Sequence, residues 1–327
     1  MRAVLSWRFF AALAFAAPAA AQTAVPIVVD TVAGPVEIDR TTTTQDIAFK
    51  IDRHDRMTVP VRLGGRGPYR FLVDTGADRT AVSTAIAAQL GLVNGPMATL
   101  HSITGTSSVQ TVNVPQLELT QNRVHSLEAP LLEAVHMGAD GILGVDSLRS
   151  QRVLFDFKAR IISIVPSAKR MEREEEGTIV VTGKLRRGHL IVTTARANGI
   201  PLTVVLDTGS EMTMGNAALR ARLEAKRRLG PAELVVMTSV TGQKLIGEAF
   251  HMKEVNIGDV VLKDLVIFFS NARIFHSLDL EKKPTVLLGM NAMRAFDKVS
   301  IDFARKQLRM VVPEESSLQS AVMAARF

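Results

Sequence analysis

The sequence contains itself twice. Gly64–Ser83 reads GGRGPYRFLVDTGADRTAVS, and Ala197–Asn216 reads ANGIPLTVVLDTGSEMTMGN. In both, a proline precedes an apolar stretch that runs into Asp-Thr-Gly, which sets Asp74 and Asp207 133 residues apart (207 − 74). Three further landmarks recur in the same order. Ser102-Ile103-Thr104-Gly105 returns as Ser239-Val240-Thr241-Gly242, Gly141-Ile142-Leu143-Gly144 as Val286-Leu287-Leu288-Gly289, and Phe155-Asp156-Phe157 as Ile301-Asp302-Phe303. A period this long is a domain duplication, not a solenoid. The chain is therefore expected to fold as two similar lobes related by a pseudo-twofold axis.

Local patterning inside each copy is mainly β. Met57–Leu63 alternates with period two, as do Val112–Val114 and, after Pro115, Leu117–Leu119. Tyr69–Val73 and Leu202–Leu206 are mostly apolar runs of strand length that end at Asp-Thr-Gly. Short helices are expected after each of these motifs, at Thr84–Leu90 and Ala217–Arg228, and after each later glycine, near Val145–Ser150 and Met290–Phe296. The second lobe's first helix is strongly basic, which reads as a solvated face. The first lobe is placed at 51–168 and the second at 179–313, joined by a charged linker over 169–178. Residues 22–50 have strand character without a partner in the repeat, and read as an extra strand, a short pro-segment or an arm. Residues 314–327 form a tail outside the repeat.

The N-terminus has its own logic. Arg2 and Arg8 flank an apolar run, Phe9–Ala17, and Ala19-Ala20-Ala21 fits a small-x-small cleavage site. Residues 1–21 are read as a signal peptide, with Gln22 the mature N-terminus and an uncleaved anchor as the alternative. Export to the periplasm or secretion follows. No later segment is apolar for long enough to span a membrane as a helix. Removing Arg2 and Arg8 leaves 37 basic against 32 acidic residues, a mild excess of +5. No basic patch is interleaved with aromatics, so nucleic acid is not an expected partner. The absence of cysteine excludes disulfides, thiolate metal sites and a cysteine nucleophile.

One Asp-Thr-Gly is a weak signal, because Asp and Gly are ordinary turn residues. Two in a duplicated frame are a stronger one. A carboxylate at the end of an apolar strand is costly to desolvate alone. Two lobes facing each other can bring both carboxylates over one water, where like charges share one proton. One carboxylate then acts as general base and the other as general acid. Gly76 and Gly209 permit a tight turn with close backbone approach. Thr75 and Thr208 are short hydroxyls able to hydrogen-bond across the lobe boundary. The residue after each triplet differs, Ala77 against Ser210. A Ser210 hydroxyl donating to Asp207 would make Asp207 the ionised member and Asp74 the protonated one.

These motifs resemble those of the retropepsin-like and pepsin-like aspartic proteases. The resemblance rests on Phe71–Asp78 and Val205–Ser210, each followed by apolar-apolar-Gly at Ile142–Gly144 and Leu287–Gly289, and covers roughly residues 50–312. It implies an all-β fold with one barrel-like lobe per repeat and a substrate cleft between them. It further implies an aspartic endopeptidase that needs no cofactor or metal and takes an extended polypeptide. Both halves lie in one chain, so a monomer is expected. A β-hairpin flap is implied over the cleft, with Thr104-Gly105 and Thr241-Gly242 at the hairpin tips and Asp78 among the substrate-binding positions. The chain departs from the family at Gly144-Val145-Asp146 and Gly289-Met290-Asn291, where many retropepsins carry Gly-Arg-Asn. The arginine that would pair with Asp78 is missing there. No flap tyrosine is present, since Tyr69 is the only tyrosine and precedes the first motif.

Other readings are weaker. A non-catalytic peptide-binding or assembly module would have no evident need for two converging carboxylates. The seven histidines form no His-Glu-x-x-His pair, and no Gly-x-Ser-x-Gly elbow is present. The histidines are accordingly read as structural or surface residues.

Overall fold

The pairing of strands follows the repeat. The computed structural model describes residues 46–48, 58–119, 122–169, 175 and 177–313. The proposed signal peptide, most of the 22–50 segment, residues 170–174 and 176 of the charged run, and the 314–327 tail lie outside the described residues. The first lobe's strands and helices are β1 (Asp46–Ala48), β2 (Thr58–Leu63), β3 (Arg66–Val73), β4 (Ala81–Ser83), α1 (Thr84–Leu90), β5 (Val93–Ser102), β6 (Gly105–Leu119), β7 (Asn122–Leu132), α2 (Ala134–Met137), β8 (Gly141–Leu143), α3 (Val145–Leu148), β9 (Gln151–Asp156) and β10 (Ile161–Pro166). The second lobe follows with β11 (Thr178–Thr182), β12 (Lys184–Arg186), β13 (His189–Ala197), β14 (Ile200–Leu206), β15 (Thr213–Gly215), α4 (Ala217–Ala225), β16 (Glu233–Thr238), β17 (Lys244–Ile257), β18 (Val260–Phe269), α5 (Arg273–Ser277), β19 (Thr285–Leu288), α6 (Met290–Met293), β20 (Lys298–Asp302) and β21 (Gln307–Val311).

The first lobe's sheet runs β2-β3-β8-β4-β7-β6-β5 and the second's β12-β13-β14-β19-β15-β18-β17-β16. Apart from β12, the two orders are the same, element for element. Each sheet curls back on itself, through β2–β6 in one lobe and β13–β17 in the other. A third sheet, β1-β10-β9-β20-β21-β11, is shared by both lobes. At its centre β9 pairs antiparallel with β20, and Leu154 lies opposite Ser300. Their separation, 146 residues, is also that of the repeated Phe155 and Ile301. Each of the two is therefore the other's repeat equivalent, and the pseudo-twofold axis passes between them. Within the segment left without a repeat partner by sequence, Asp46–Ala48 edges this sheet on β10, as β11 edges it on β21.

The sequence explains these elements locally. In β2, Val59, Val61 and Leu63 are buried while Arg62 is exposed, the period-two pattern of a half-buried strand. The two stretches flanking Pro115 belong to one strand. The β6–β7 register places Val114 opposite Leu127 and Gln116 opposite His125 and skips the proline, which has no N–H to give. Ser83 caps α1 by accepting from the Ile86 N–H at 3.2 Å, and its repeat equivalent Asn216 caps α4 by accepting from Leu219 at 2.9 Å. The helix α4 stops at Ala225, short of the basic Arg227 and Arg228 that were expected within it. One apolar core runs unbroken from Val59 and Phe71 through Phe155, Ile162 and Val299 to Leu206 and Val255. Each such fully buried side chain contributes about 1.5–3 kcal/mol.

Candidate active site

Both aspartates stand at the end of a buried strand, against the repeated apolar-apolar-Gly segment. The Asp74 N–H donates to the Leu143 carbonyl at 3.0 Å, and the Asp207 N–H to the Leu288 carbonyl at 3.1 Å. The glycine after each of those leucines is required by backbone contact. A Cβ on Gly144 would sit 2.5 Å from the Arg79 carbonyl carbon, and one on Gly289 equally close to that of Met212. Behind each turn a threonine and an amide or carboxylate lock the same crossing. The Thr80 N–H and hydroxyl both donate to Asp146, at 3.0 and 2.7 Å; Thr213 donates likewise to Asn291, at 2.9 and 2.7 Å. Thr80, Asp146, Thr213 and Asn291 were not among the sequence-derived site residues, although each pair recurs in register in the repeat.

The two turns meet at the lobe boundary. Asp74 is 0% exposed and Asp207 1%. A Cβ added to Gly76 would overlap the Asp207 carboxylate, and one added to Gly209 would overlap that of Asp74. Each carboxylate thus lies against the other lobe's glycine. Within each turn the arrangement is matched. Asp74 Oδ1 accepts from the N–H groups of Gly76 (2.8 Å) and Ala77 (3.0 Å), and Asp207 Oδ1 from those of Gly209 (3.1 Å) and Ser210 (3.2 Å). Beneath them, Thr75 and Thr208 exchange hydrogen bonds between lobes, and their hydroxyls donate to the carbonyls of Leu206 (3.0 Å) and Val73 (2.7 Å).

One sequence expectation needs correction. The Ser210 hydroxyl donates to the Met212 carbonyl at 2.8 Å, not to Asp207. A hydroxyl has one hydrogen, and what Ser210 gives Asp207 is a backbone N–H, as Ala77 gives Asp74. The expected asymmetry from this pair is therefore missing. Asp78, placed among the substrate-binding positions, is engaged by a histidine of the other lobe: His189 Nε2 lies 3.0 Å from Asp78 Oδ1. That histidine is 0% exposed, so it is neither a surface group nor an incidental one. The position matching Asp78 in the second lobe is Glu211, which Arg294 grips at 2.6 and 2.8 Å.

The hairpin tips Thr104-Gly105 and Thr241-Gly242 meet across the lobe boundary. The Thr104 hydroxyl donates to the Ser239 hydroxyl at 3.2 Å. Beside it, each tip crosses into the other lobe. Ile103 is buried in a second-lobe cluster with Ile191, Val205, Met214 and Phe268. Val240 is buried in a first-lobe cluster with Leu72, Ala77, Leu100 and Ile142. A Cβ on Gly242 would overlap the His136 ring of the first lobe. Both repeats therefore carry a hairpin whose tip packs into the other lobe, and the two tips interlock. Among the described residues no three His, Asp or Glu side chains gather to hold a metal ion, and no helix is long and apolar enough to cross a membrane.

A family model described as Aspartyl protease matches residues 59–147 and 193–292, together more than half of the chain. No curated protein matches the sequence. Each matched segment holds one Asp-Thr-Gly turn, one flap tip and one apolar-apolar-Gly, the parts that the two lobes bring face to face. With the family's pattern satisfied once in each lobe of a two-lobed β fold, this chain belongs to the aspartyl protease family.

Proposed function

We propose that the chain is an aspartic endopeptidase whose catalytic residues are Asp74 and Asp207. The observation that carries this reading is the seating of each buried carboxylate against the opposite lobe's glycine. Two carboxylates held so close share one proton. The ionised member takes a proton from a water lying between them, and the oxygen of that water attacks the scissile carbonyl carbon. The protonated member gives its proton to the carbonyl oxygen, so the tetrahedral intermediate is neutral. Collapse re-forms the carbonyl and breaks the C–N bond, and the amine leaves with a proton passed back through the pair. The turn amides, Gly76, Ala77, Gly209 and Ser210, hold the carboxylates, while Thr75 and Thr208 fix the distance between lobes.

The substrate is an extended polypeptide segment, as the aspartyl protease match supports, and the two interlocked hairpins act as flaps that part to admit it. The working unit is the monomer, since one chain supplies both halves. The reaction takes place in the periplasm or outside the cell, a placement that rests on the leader-like residues 1–21. Purified mature chain is expected to cleave casein, with at least ~100-fold loss in Asp74→Asn and in Asp207→Asn, and to be inhibited by a statine-type peptide. Binding of peptides without cleavage across a broad pH range would favour the non-catalytic module instead. N-terminal sequencing of the exported protein tests the placement.

A further inference from the structure

The turns that hold the two aspartates differ in a respect that the repeat does not predict, and it comes from His189. The hairpin turn before β13 carries Gly188 at φ +95°, and a Cβ there would press on Val145 of the first lobe. Glycine lets this turn lie against the first lobe, and His189 follows it. His189 Nδ1 is 3.0 Å from the Thr75 carbonyl oxygen and Nε2 is 3.0 Å from Asp78 Oδ1. A carbonyl oxygen can only accept, so Nδ1 carries a hydrogen and donates it. An ionised Asp78 also only accepts, so Nε2 carries a hydrogen as well. With Asp78 ionised, the ring is an imidazolium paired with it.

The Thr75–Gly76 peptide unit connects that ring to Asp74. Its carbonyl accepts from His189, and its N–H donates to Asp74 Oδ1 at 2.8 Å. A cation on the carbonyl polarises the peptide and strengthens its N–H as a donor. Among the described residues no side chain donates to the Thr208 carbonyl, so the Thr208–Gly209 unit has no matching cation. The hydrogen-bond lengths agree, 2.8 and 3.0 Å at Asp74 against 3.1 and 3.2 Å at Asp207. The other charged groups around the ring face elsewhere. Arg186 and Arg187 face Asp279, Arg79 faces Glu128, and Asp146 is bonded by Thr80.

We propose that His189 is a positioning residue that makes Asp74 the ionised member of the pair, and hence the base, by way of the Thr75–Gly76 peptide. This reverses the order expected from Ser210 and rests on the protease reading above. Hydrogen bonds to the charged form favour it, so His189 lets Asp74 lose its proton at lower pH. Two variants separate the link from the charge. His189→Gln replaces one of the two bonds at most. Asp78→Asn keeps both, because an asparagine amide donates to Nε2 of a neutral ring, and it removes only the cation.

Aspartate carboxyl-13C NMR of the mature chain reads both carboxyls without substrate, with the resonances assigned through Asp74→Asn and Asp207→Asn. The Asp74 carboxyl is expected to ionise first as pH rises. In His189→Gln and in Asp78→Asn that step is expected to move to higher pH by roughly half a unit to one unit, and the acid limb of kcat/KM with it, a loss of about 3- to 10-fold on that limb. Because Asp78→Asn keeps both hydrogen bonds, it guards against a His189→Gln that does not fold. If Asp207 ionises first, or if the Asp74 step stays put in the folded variants, the inference is overturned. If the wild-type chain cleaves nothing while Asp74 still ionises first and the variants shift that step, the protease reading falls and the relay stands.

Discussion

Thr75 and Thr208 hold the two lobes by a reciprocal exchange: each N–H donates to the other's hydroxyl oxygen at 3.0 Å. Both side chains are buried, and each hydroxyl also donates to a carbonyl of the opposite lobe. Thr75→Val keeps the shape and strands two partners, the Thr208 N–H and the Leu206 carbonyl. At about 1–3 kcal/mol for each buried group left without a partner, Thr75→Val should lower unfolding free energy by roughly 2–6 kcal/mol. Thr75→Ser, which keeps the oxygen, should lose about 1 kcal/mol or less. Urea denaturation monitored by circular dichroism measures both, and equal losses in the two variants would contradict the hydrogen-bond account.

Gly209→Ala places a methyl group where the Asp74 carboxylate lies. Nothing there is the far end of a flexible chain, since Asp74 is itself held by the Gly76 and Ala77 amides. The turns must separate, and a misplacement of about 1 Å costs on the order of 100-fold in rate. Peptidase assays should find kcat lowered by about that factor or more, in Gly76→Ala as well. A Gly209→Ala chain with wild-type kcat would mean that the carboxylates are not confined as described.

Which features could be read from the sequence follows from their range. Strands and the Asp-Thr-Gly turns are set by patterns of a few residues, and duplication doubles each signal, so Val59–Leu63, Asp74 and Asp207 could be read beforehand. The shared six-stranded sheet was hidden, because the pairing of Leu154 with Ser300 is a contact between repeats and has no local signature. His189 was hidden for the same reason: it meets Asp78 from 111 residues away. The Ser210 hydroxyl was misread because sequence gives its proximity to Asp207 but not the Met212 carbonyl that takes its hydrogen. Accordingly Ser210→Ala should leave the acid limb of the pH–rate profile where it is. An upward movement would restore Asp207 as the favoured carboxylate.

Lys298 closes the central sheet near the pseudo-twofold axis, 2.7 Å from Glu175 and 3.3 Å from Asp156. Burial favours its neutral form, but the hydrogen bond it donates to Glu175 and the charge of Asp156 outweigh it and hold the amine above its ordinary value of 10.5. A group whose pKa is raised by folding stabilises the native state fully below its unfolded value, and that contribution is lost as pH rises through the folded value. The wild type should therefore lose stability above about pH 10.5. Lys298→Met should be less stable by about 0.5–1 kcal/mol at pH 7, and the gap between the two should close as pH passes through the alkaline range. Melting temperatures at pH 7, 9 and 11 give the comparison, and a gap that widens with pH would have the wrong sign.

The interlocked flaps make a separate claim about substrate entry. Ile103 is 5% exposed and Val240 0%, each among residues of the lobe it does not belong to. Opening the site pulls both out of those clusters. Truncating either to alanine removes apolar area that only the closed state buries, at a cost of about 2 kcal/mol or more. Because the truncation weakens closure of the free site as much as closure over substrate, the loss largely cancels in binding. Ile103→Ala and Val240→Ala should change KM and kcat on a short peptide by less than about 3-fold each. Hydrogen exchange at the tips should quicken in both variants, and in each the flap of the other lobe should loosen too, since Thr104 and Ser239 are bonded to each other. If Ile103→Ala quickens exchange only in its own hairpin, the flaps open independently, and a substrate needs to displace one of them rather than both.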